Sequence, residues 1–239
     1  MRVFTGLLTI SSTGSYRPIM ESTDADPGAA GGLAAVRRAA RILREEIREG
    51  TLTPGQRLIE LELAARLGVN RAAVRAALLE LTGEGLVERI ENRGARVRPI
   101  AAEEAAEIVE CRMVLEGVCA AAAAERVDER GRAALRELGE RLRAAVERAD
   151  TAAYTQLDRQ LHTLVRSLSG RRVAARMLER LHAQSGRHQE RLNLLPGQAR
   201  RALPEHLALI DAVCAGDPAA AEHAARAHLA GVAEALRAQ

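Results

Sequence analysis

The stretch IELELAARLGVNRAAVRAALLELTGEGLV, residues 59–87, predicts two short helices separated by a tight turn. The first helix is expected to end at Gly68, and Asn70 follows as the N-cap of the second. The second helix is expected to run to about Thr82, before the glycines of GEG interrupt it. Two short helices joined by a turn that contains glycine are typical of a helix-turn-helix.

The segments on either side extend this unit. Upstream, residues 33–50 place apolar side chains at helical spacing, which predicts a further helix before the TPGQ turn. Downstream, GLVERI (85–90) and ARVRPI (95–100) alternate apolar with polar residues, and ENRG (91–94) joins them as a hairpin turn. Three helices followed by a β-hairpin predict a winged helix-turn-helix.

Two arginines mark the third predicted helix. Arg71 and Arg75 lie four residues apart and therefore point the same way, whereas Val74, Leu78 and Leu81 form the opposite stripe, which is expected to pack inward. An arginine fork near the start of a recognition helix fits the edge of guanine. The alternative is that the two arginines only solvate a helix surface. The surrounding helix-turn-helix and wing favour DNA recognition.

The charge of the chain is unevenly distributed. Residues 33–100 contain 13 arginines and 9 glutamates, whereas residues 101–239 contain 20 arginines and 20 acidic residues. The net charge of +3 therefore comes from the segment that carries the helix-turn-helix. Such a surface attracts phosphate backbones, and it would attract acidic partners as well.

Length and composition indicate a globular protein of two domains. The chain has 239 residues, of which 47% are hydrophobic and 28% charged. Residues 1–32 show no helical period and are expected to form a flexible leader, with Met20 as a candidate start.

Three scattered cysteines do not form a disulfide framework, and no run approaches the roughly 20 apolar residues of a membrane span. We therefore expect a cytoplasmic protein with reduced thiols and no membrane partner.

Residues from about 34 to 100 resemble the winged-helix domain of the GntR family of bacterial transcription regulators. The resemblance is carried by EGTLTPGQRLIELELAARLGVNRAAVRAALLELTGEGLVERIENRGARV. It implies that Arg71 and Arg75 read DNA, that Gly94 lets the tip of the wing enter the minor groove, and that Arg93 contacts a phosphate or the groove. Asn70, which precedes Arg71, is also expected to bind DNA.

The second half, residues 101–239, has a helical pattern almost throughout, which predicts an all-α antiparallel bundle. The fold class expected for the whole chain is therefore mainly α, with a winged helix-turn-helix followed by this bundle. The helices of the bundle are expected at about 102–126, 128–149, 151–168, 171–192, 203–215 and 218–237.

All six histidines lie in this half. Asp158 and His162 share a helix face, and His206 and His228 open and close the last helical hairpin. One carboxylate and three imidazoles would suit zinc, nickel or a similar divalent cation. The alternative for each histidine is a hydrogen bond in or near the core, because the sequence alone does not bring the four side chains together.

Residues from about 103 to 236 resemble the FCD effector domain of the FadR-like branch of GntR regulators. The resemblance is carried by RMVLEGVCAAAAA (112–124), LDRQLHTLV (157–165) and EHLALIDAVCAGDPAAAEHAARAHL (205–229). It implies a divalent metal, zinc or nickel, whose ligands are Asp158, His162, His206 and His228. His182, His188 and His223 match nothing in that pattern and are expected to be surface or packing residues.

The same resemblance implies a small carboxylate effector at open coordination positions of the metal, and it assigns Arg112 to that carboxylate. The alternative for Arg112 is a salt bridge to Glu116, one helical turn away. Arg187 is a weaker candidate for the same role as Arg112.

These observations favour a ligand-responsive transcriptional repressor that dimerises and binds an inverted-repeat operator. A metal sensor, in which the cation is itself the signal, is the first alternative. A metal-dependent hydrolase is the second, since such a site could activate water. The hydrolase interpretation leaves the N-terminal domain without a role, so the chain is not expected to be an enzyme.

Overall fold

A computed structural model of the chain describes residues 27–91 and 94–238. Helices dominate the described part, and none of the helices found there is long and apolar enough to cross a membrane. The elements are α1 (Pro27–Glu49), β1 (Arg57–Leu58), α2 (Glu60–Leu67), α3 (Arg71–Gly83), β2 (Val87–Ile90), β3 (Gly94–Val97), α4 (Ala102–Arg126), α5 (Glu129–Glu147), α6 (Thr151–Ser169), α7 (Arg172–Asn193), α8 (Gln198–Ala215) and α9 (Pro218–Arg237).

The N-terminal elements form the predicted winged helix-turn-helix. α2 and α3 make the helix-turn-helix, and β2 and β3 pair antiparallel as the wing, with Ile90 opposite Gly94. A third strand, β1, pairs with the other side of β3 and completes an antiparallel sheet of order β1-β3-β2. β1 was not predicted, because two residues are too few to show an alternating pattern.

Capping and burial fix the orientation of α3. The Asn70 side chain accepts a hydrogen bond of 2.8 Å from the backbone N–H of Ala73, which confirms its predicted role as N-cap. Val74 and Leu81 are fully buried, in a core shared with Leu43 of α1. The face of α3 that carries Arg71 and Arg75 is therefore turned to the outside.

The C-terminal elements form the predicted helical bundle, in which α4 packs against α6, α7, α8 and α9. The alanines at 120–124 bring these helices close to α4, because most of them are buried and their side chains are small. Leucines from α5, α6 and α8 fill the core alongside them, represented by Leu142, Leu161 and Leu209.

Two boundaries differ from the sequence-based predictions. α1 begins at Pro27, so residues 27–32 are helical although the sequence assigned them to a flexible leader; the rest of that leader lies outside the described residues. Proline is tolerated at the first position of a helix because its missing N–H would have no partner there. α8 begins at Gln198, five residues before the predicted start at 203, and Pro204 lies inside it.

The two halves of the chain contact each other directly. Arg98, which follows the wing, forms hydrogen bonds of 2.7 and 3.0 Å to the Glu104 carboxylate at the start of α4. Farther along the chain, Gln184 of α7 donates a hydrogen bond of 2.6 Å to the backbone carbonyl of Glu84, just after α3. α7 therefore contacts the C-terminal end of the recognition helix.

Candidate functional site

The outer face of α3 carries the two arginines that the sequence singled out. The side chains of Arg71 and Arg75 are 61% and 62% exposed, as expected for residues that meet a ligand at the surface. Both hold an ion pair with Glu60, the first residue of α2. The Glu60 carboxylate accepts hydrogen bonds of 3.0 and 2.9 Å from Arg75, and it lies 3.6 Å from Arg71.

Glu60 therefore engages both guanidinium groups on the outer face of α3. Its hydrogen bond from Arg75 holds the pKa of the Glu60 carboxyl below its ordinary value, so the carboxylate stays charged at neutral pH. A phosphate or a base edge that approaches Arg75 has to replace this carboxylate. Glu60 was not predicted from the sequence, because only the turn between α2 and α3 brings it close to the two arginines.

The groove beside α3 is lined by further basic residues. A cavity of about 260 Å³ opens between α3 and the wing, and Arg57 and Arg89 line it together with Arg71 and Arg75. Gly94 at the wing has a φ of +87°, in the region that favours glycine, and it is exposed. Arg93, also expected to contact DNA, lies outside the described residues.

The four expected metal ligands converge inside the bundle. α6 supplies Asp158 and His162 from adjacent turns, α8 supplies His206 and α9 supplies His228. All four side chains are buried, and one ligand atom from each lies within 4.8 Å of those from the other three. Asp158 Oδ1 is 3.0 Å from His206 Nε2 and 3.4 Å from His162 Nε2.

Each histidine is oriented by a partner on its other ring nitrogen. His162 Nδ1 lies 2.6 Å from the Glu116 carboxylate. His206 Nδ1 lies 2.8 Å from the Tyr154 hydroxyl. His228 Nδ1 lies 2.8 Å from the Glu205 carboxylate. Such partners fix the tautomer that leaves Nε2 free to bind a metal. Sequence reasoning missed all three partners.

The centre of the cluster contains polar atoms without hydrogen-bond partners. Asp158 Oδ1, His206 Nε2 and His228 Nε2 are fully buried and form no hydrogen bond, although two of them lie close together. Buried polar atoms normally have partners, because desolvation is costly. A divalent cation bound by the three Nε2 atoms and the carboxylate would satisfy them, so the residues present fit zinc or nickel.

The histidines of the cluster differ in their pKa values. Burial, followed by the nearby His206, lowers the pKa of His228 to about 4, so its imidazole is neutral. Burial also disfavours the charged form of His162, but the Glu116 and Asp158 carboxylates outweigh this effect and raise its pKa to about 9. Without a cation, His162 therefore holds a proton at neutral pH.

A cavity of about 860 Å³ adjoins the cluster and reaches the N-terminal domain; we call it the interdomain cavity. Asp158 and His162 line it on one side, whereas Arg44 and Arg48 of α1 line it on another. A molecule in this cavity is therefore within reach of both the cluster and the N-terminal domain.

Arg112 forms the salt bridge that was the alternative interpretation of this residue, and it lies at the cavity where the expected effector would bind. It forms an ion pair of 3.1 Å with Glu116, and its Nη1 donates a hydrogen bond of 3.1 Å to Ser185. It also lines the interdomain cavity, where a carboxylate could reach it. Arg187, the weaker candidate, faces Gly50 and lines a different, smaller pocket.

The remaining histidines differ from one another. His223 is exposed, as expected, and His188 lies against the backbone carbonyl of Ile100 at 2.9 Å. His182 lines the interdomain cavity, with Nε2 lying 3.0 Å from Glu116. His182 was expected to be a surface or packing residue. The helical spacing on α7 did not reveal that it lies at the cavity, next to Glu116.

Comparisons with known proteins give the same architecture. The structure of McbR/YncC from Escherichia coli superimposes with a TM-score of 0.74 at 25% identity, covering 86% of this chain and 98% of that one. LutR, an HTH-type transcriptional regulator of Bacillus subtilis, is 32% identical over 215 residues, or 80% of this chain and 95% of LutR. A probable D-xylose utilization operon transcriptional repressor of Paenarthrobacter nicotinovorans is 31% identical over 192 residues, or 77% of this chain and 81% of the repressor.

The fold and these relatives define a winged-helix transcription regulator with a helical second domain. Residues 35–97 match the family of bacterial regulatory proteins called gntR, and residues 107–231 match the FCD domain. The chain belongs to the GntR family of transcription regulators, among the members that carry an FCD domain.

The metal ligands can be tested by substitution. His228→Ala is expected to abolish stoichiometric zinc binding, because it removes a ligand from a buried site. Glu205→Gln is expected to weaken zinc binding by about ten- to hundredfold, since it removes only the partner that orients His228. Zinc content and affinity would be measured with a competing chelator. The control is His223→Ala on the same helix, and equal zinc binding in all three variants would contradict the assignment.

Zinc affinity should depend on pH. His162 has a raised pKa of about 9 in the cation-free cluster, so it is protonated at pH 7 and has to lose that proton to bind zinc. Affinity is therefore expected to rise by about tenfold per pH unit as pH increases from 7 towards 9. Calorimetry in buffers of different ionisation enthalpy would count the released proton. An affinity that does not change over this range would exclude protonated His162.

The Glu60 contact predicts a gain of DNA affinity on substitution. Glu60→Gln removes a negative charge from Arg71 and Arg75, so it is expected to tighten binding to a random-sequence duplex several-fold and to steepen its salt dependence. Fluorescence anisotropy at several salt concentrations would measure both. Glu62→Gln, at an exposed position of the same helix α2, is the control. Equal tightening in the two variants would show a general charge effect instead of release of the two arginines.

Proposed function

We propose that this regulator is a repressor that binds an inverted-repeat operator as a homodimer and that a small organic acid, held at a divalent metal, controls its affinity for DNA. The observation that carries the proposal is the interdomain cavity, since it joins the four-residue cluster to helices of the DNA-binding domain. One occupant of this cavity would touch both functional regions. Repression is favoured by relatives that are named as repressors.

For DNA recognition we propose Asn70, Arg71, Arg75, Arg93 and Gly94. Exposure of the two α3 arginines and the positive φ of the wing glycine support this assignment. The Asn70 carbonyl oxygen is engaged in capping α3, so its amide NH₂ is the group available to a phosphate. A homodimer would present two such surfaces, which suits an operator made of two inverted half-sites.

For effector binding we propose that Asp158, His162, His206 and His228 hold zinc or nickel. The bound cation would supply a Lewis-acid anchor for one carboxylate of the effector. Arg112 lines the same cavity and would pair with that carboxylate, while its bonds to Glu116 and Ser185 hold the guanidinium in place.

α7 is the element that we propose to transmit the signal. Near its C-terminal end, Asn193 donates a hydrogen bond of 3.3 Å to Asp158, one of the cluster residues. One turn earlier, Glu190 forms ion pairs with Arg159 of α6 and with Arg48 of α1. Since all three charged residues line the cavity, an anionic effector would compete with Glu190 for the two arginines. Such competition would favour one arrangement of the domains over the other.

The size of the cavity favours this proposal over a pure metal sensor. A cation needs only the space between its ligands, whereas about 860 Å³ is within the range of pockets that bind small molecules. Family membership favours regulation over the hydrolase alternative, and the DNA-binding domain has a role only in the former.

Operator binding in the presence of acids tests the proposal. A duplex selected from a random pool by the metal-loaded protein would be titrated with a panel of hydroxy acids, sugar acids and dicarboxylic acids. One class is expected to weaken DNA binding by about five- to 150-fold, the usual range of allosteric coupling, and only when metal is present. Arg71→Ala with Arg75→Ala should abolish operator binding and leave metal content unchanged.

Glu190→Gln provides the matched test of coupling. This variant is expected to keep its metal and to lose most of the acid response, with Glu179→Gln, another glutamate that lines the cavity, as control. If no acid alters DNA binding and only the cation does, the metal-sensor alternative replaces the proposal.

A further inference from the structure

The arginines around the interdomain cavity fall into two groups. Four of the cavity-lining arginines form ion pairs with glutamates: Arg44, Arg48, Arg112 and Arg159. In the part of the chain that the structure describes, no ion pair is found for three others: Arg166, Arg176 and Arg180. Arg176 and Arg180 are exposed, whereas Arg166 is partly buried. Arg166 is therefore the inner cation of the cavity that lacks a carboxylate partner among the described residues.

The hydrogen bonds of Arg166 do not neutralise it. Its Nη2 donates to the Thr163 hydroxyl at 2.9 Å, and its Nη1 lies 2.8 Å from His182 Nε2. Burial, followed by the nearby Arg112, lowers the pKa of His182 to about 4, so the imidazole is neutral and can accept the bond. Burial also lowers the pKa of Arg166, but a guanidinium remains charged in proteins. The Glu116 carboxylate also attracts Arg166, but Arg112, His162 and His182 already engage it. A partly buried cation whose hydrogen-bond partners are neutral favours an anion beside it.

Arg166 lies on the same stripe of α6 as two cluster residues. Asp158, His162 and Arg166 are spaced four residues apart, so they follow one another along one face of the helix, and all three line the cavity. At a rise of about 1.5 Å per residue, Arg166 is displaced by roughly 6 Å from His162 along the helix axis. A ligand anchored at the cluster would reach Arg166 after a few bonds.

The charges around the cluster favour an acidic ligand. Asp158, Glu116 and Glu205, the partner of His228, carry three negative charges, against the two guanidinium groups of Arg112 and Arg166. A divalent cation bound by neutral histidines adds two positive charges, so this region is positive before an acid binds.

We infer that the effector is a diacid whose first carboxylate binds at the metal and Arg112 and whose second acidic group is received by Arg166. This inference rests on the proposed function and adds the class of effector. The second acidic group is a carboxylate or a phosphate, since an arginine fork recognises both.

Pairs of acids that differ only in the second group test the inference. The metal-loaded protein would be titrated calorimetrically with glutarate against pentanoate, and with 3-phosphoglycerate against glycerate. At least one diacid is expected to bind about ten- to hundredfold more tightly than its partner, because it adds a hydrogen bond to a charged group. The pair with the larger difference tells whether the second group is a carboxylate or a phosphate.

Substitution assigns this difference to Arg166. Arg166→Gln is expected to reduce the affinity of the preferred diacid to that of the monoacid, with monoacid affinity and zinc content unchanged. Arg166→Lys keeps the charge but not the fork, and it is expected to retain part of the difference. The control is Arg200→Gln, an exposed arginine outside the cavity lining.

The possible failures are distinguishable. If monoacids and diacids bind equally, or if Arg166→Gln leaves the diacid advantage intact, the inference is wrong and the proposed function stands. If neither kind of acid binds the metal-loaded protein, both the inference and the acid-controlled function are wrong.

Discussion

The helical domain buries one carboxylate and three imidazoles at one point, and the desolvation of these groups opposes folding. Asp158, His162, His206 and His228 come from α6, α8 and α9, and α4 closes the cluster with Glu116. Three of their inward-facing atoms, on Asp158, His206 and His228, lack hydrogen bonds, so the cost of their desolvation is offset only when a cation joins them. Metal binding and the packing of these helices are therefore expected to stabilise each other.

α7 is the structural link between this centre and the DNA-binding domain. Asn193 contacts a cluster residue, Glu190 contacts Arg48 of α1, and Gln184 contacts the backbone just after α3. One helix makes all three contacts, so a displacement of α7 at the cluster would also displace its contacts with α1 and with the end of α3. The cavity beside α7 is where a bound molecule could cause that shift.

The sequence predicted what depends on local pattern or on a family motif, and it missed what depends on tertiary contacts. The outward position of Arg75 and the capping of α3 follow from helical spacing, and both agree with the structure. The cluster needed a resemblance, since spacing joins Asp158 only to His162. Partners such as Tyr154 and Glu60 obey no spacing rule, because distant segments bring them to their targets.

The position of Glu60 against Arg71 and Arg75 bears on how such a protein would find one site in a genome. A cell offers millions of non-cognate sequences, so occupancy of an operator depends on the ratio of cognate to non-cognate affinity more than on either value. Any duplex has to displace the same carboxylate, and only a sequence that supplies a guanine edge in its place recovers the cost. One half-buried glutamate would thereby shorten the time spent on the wrong DNA.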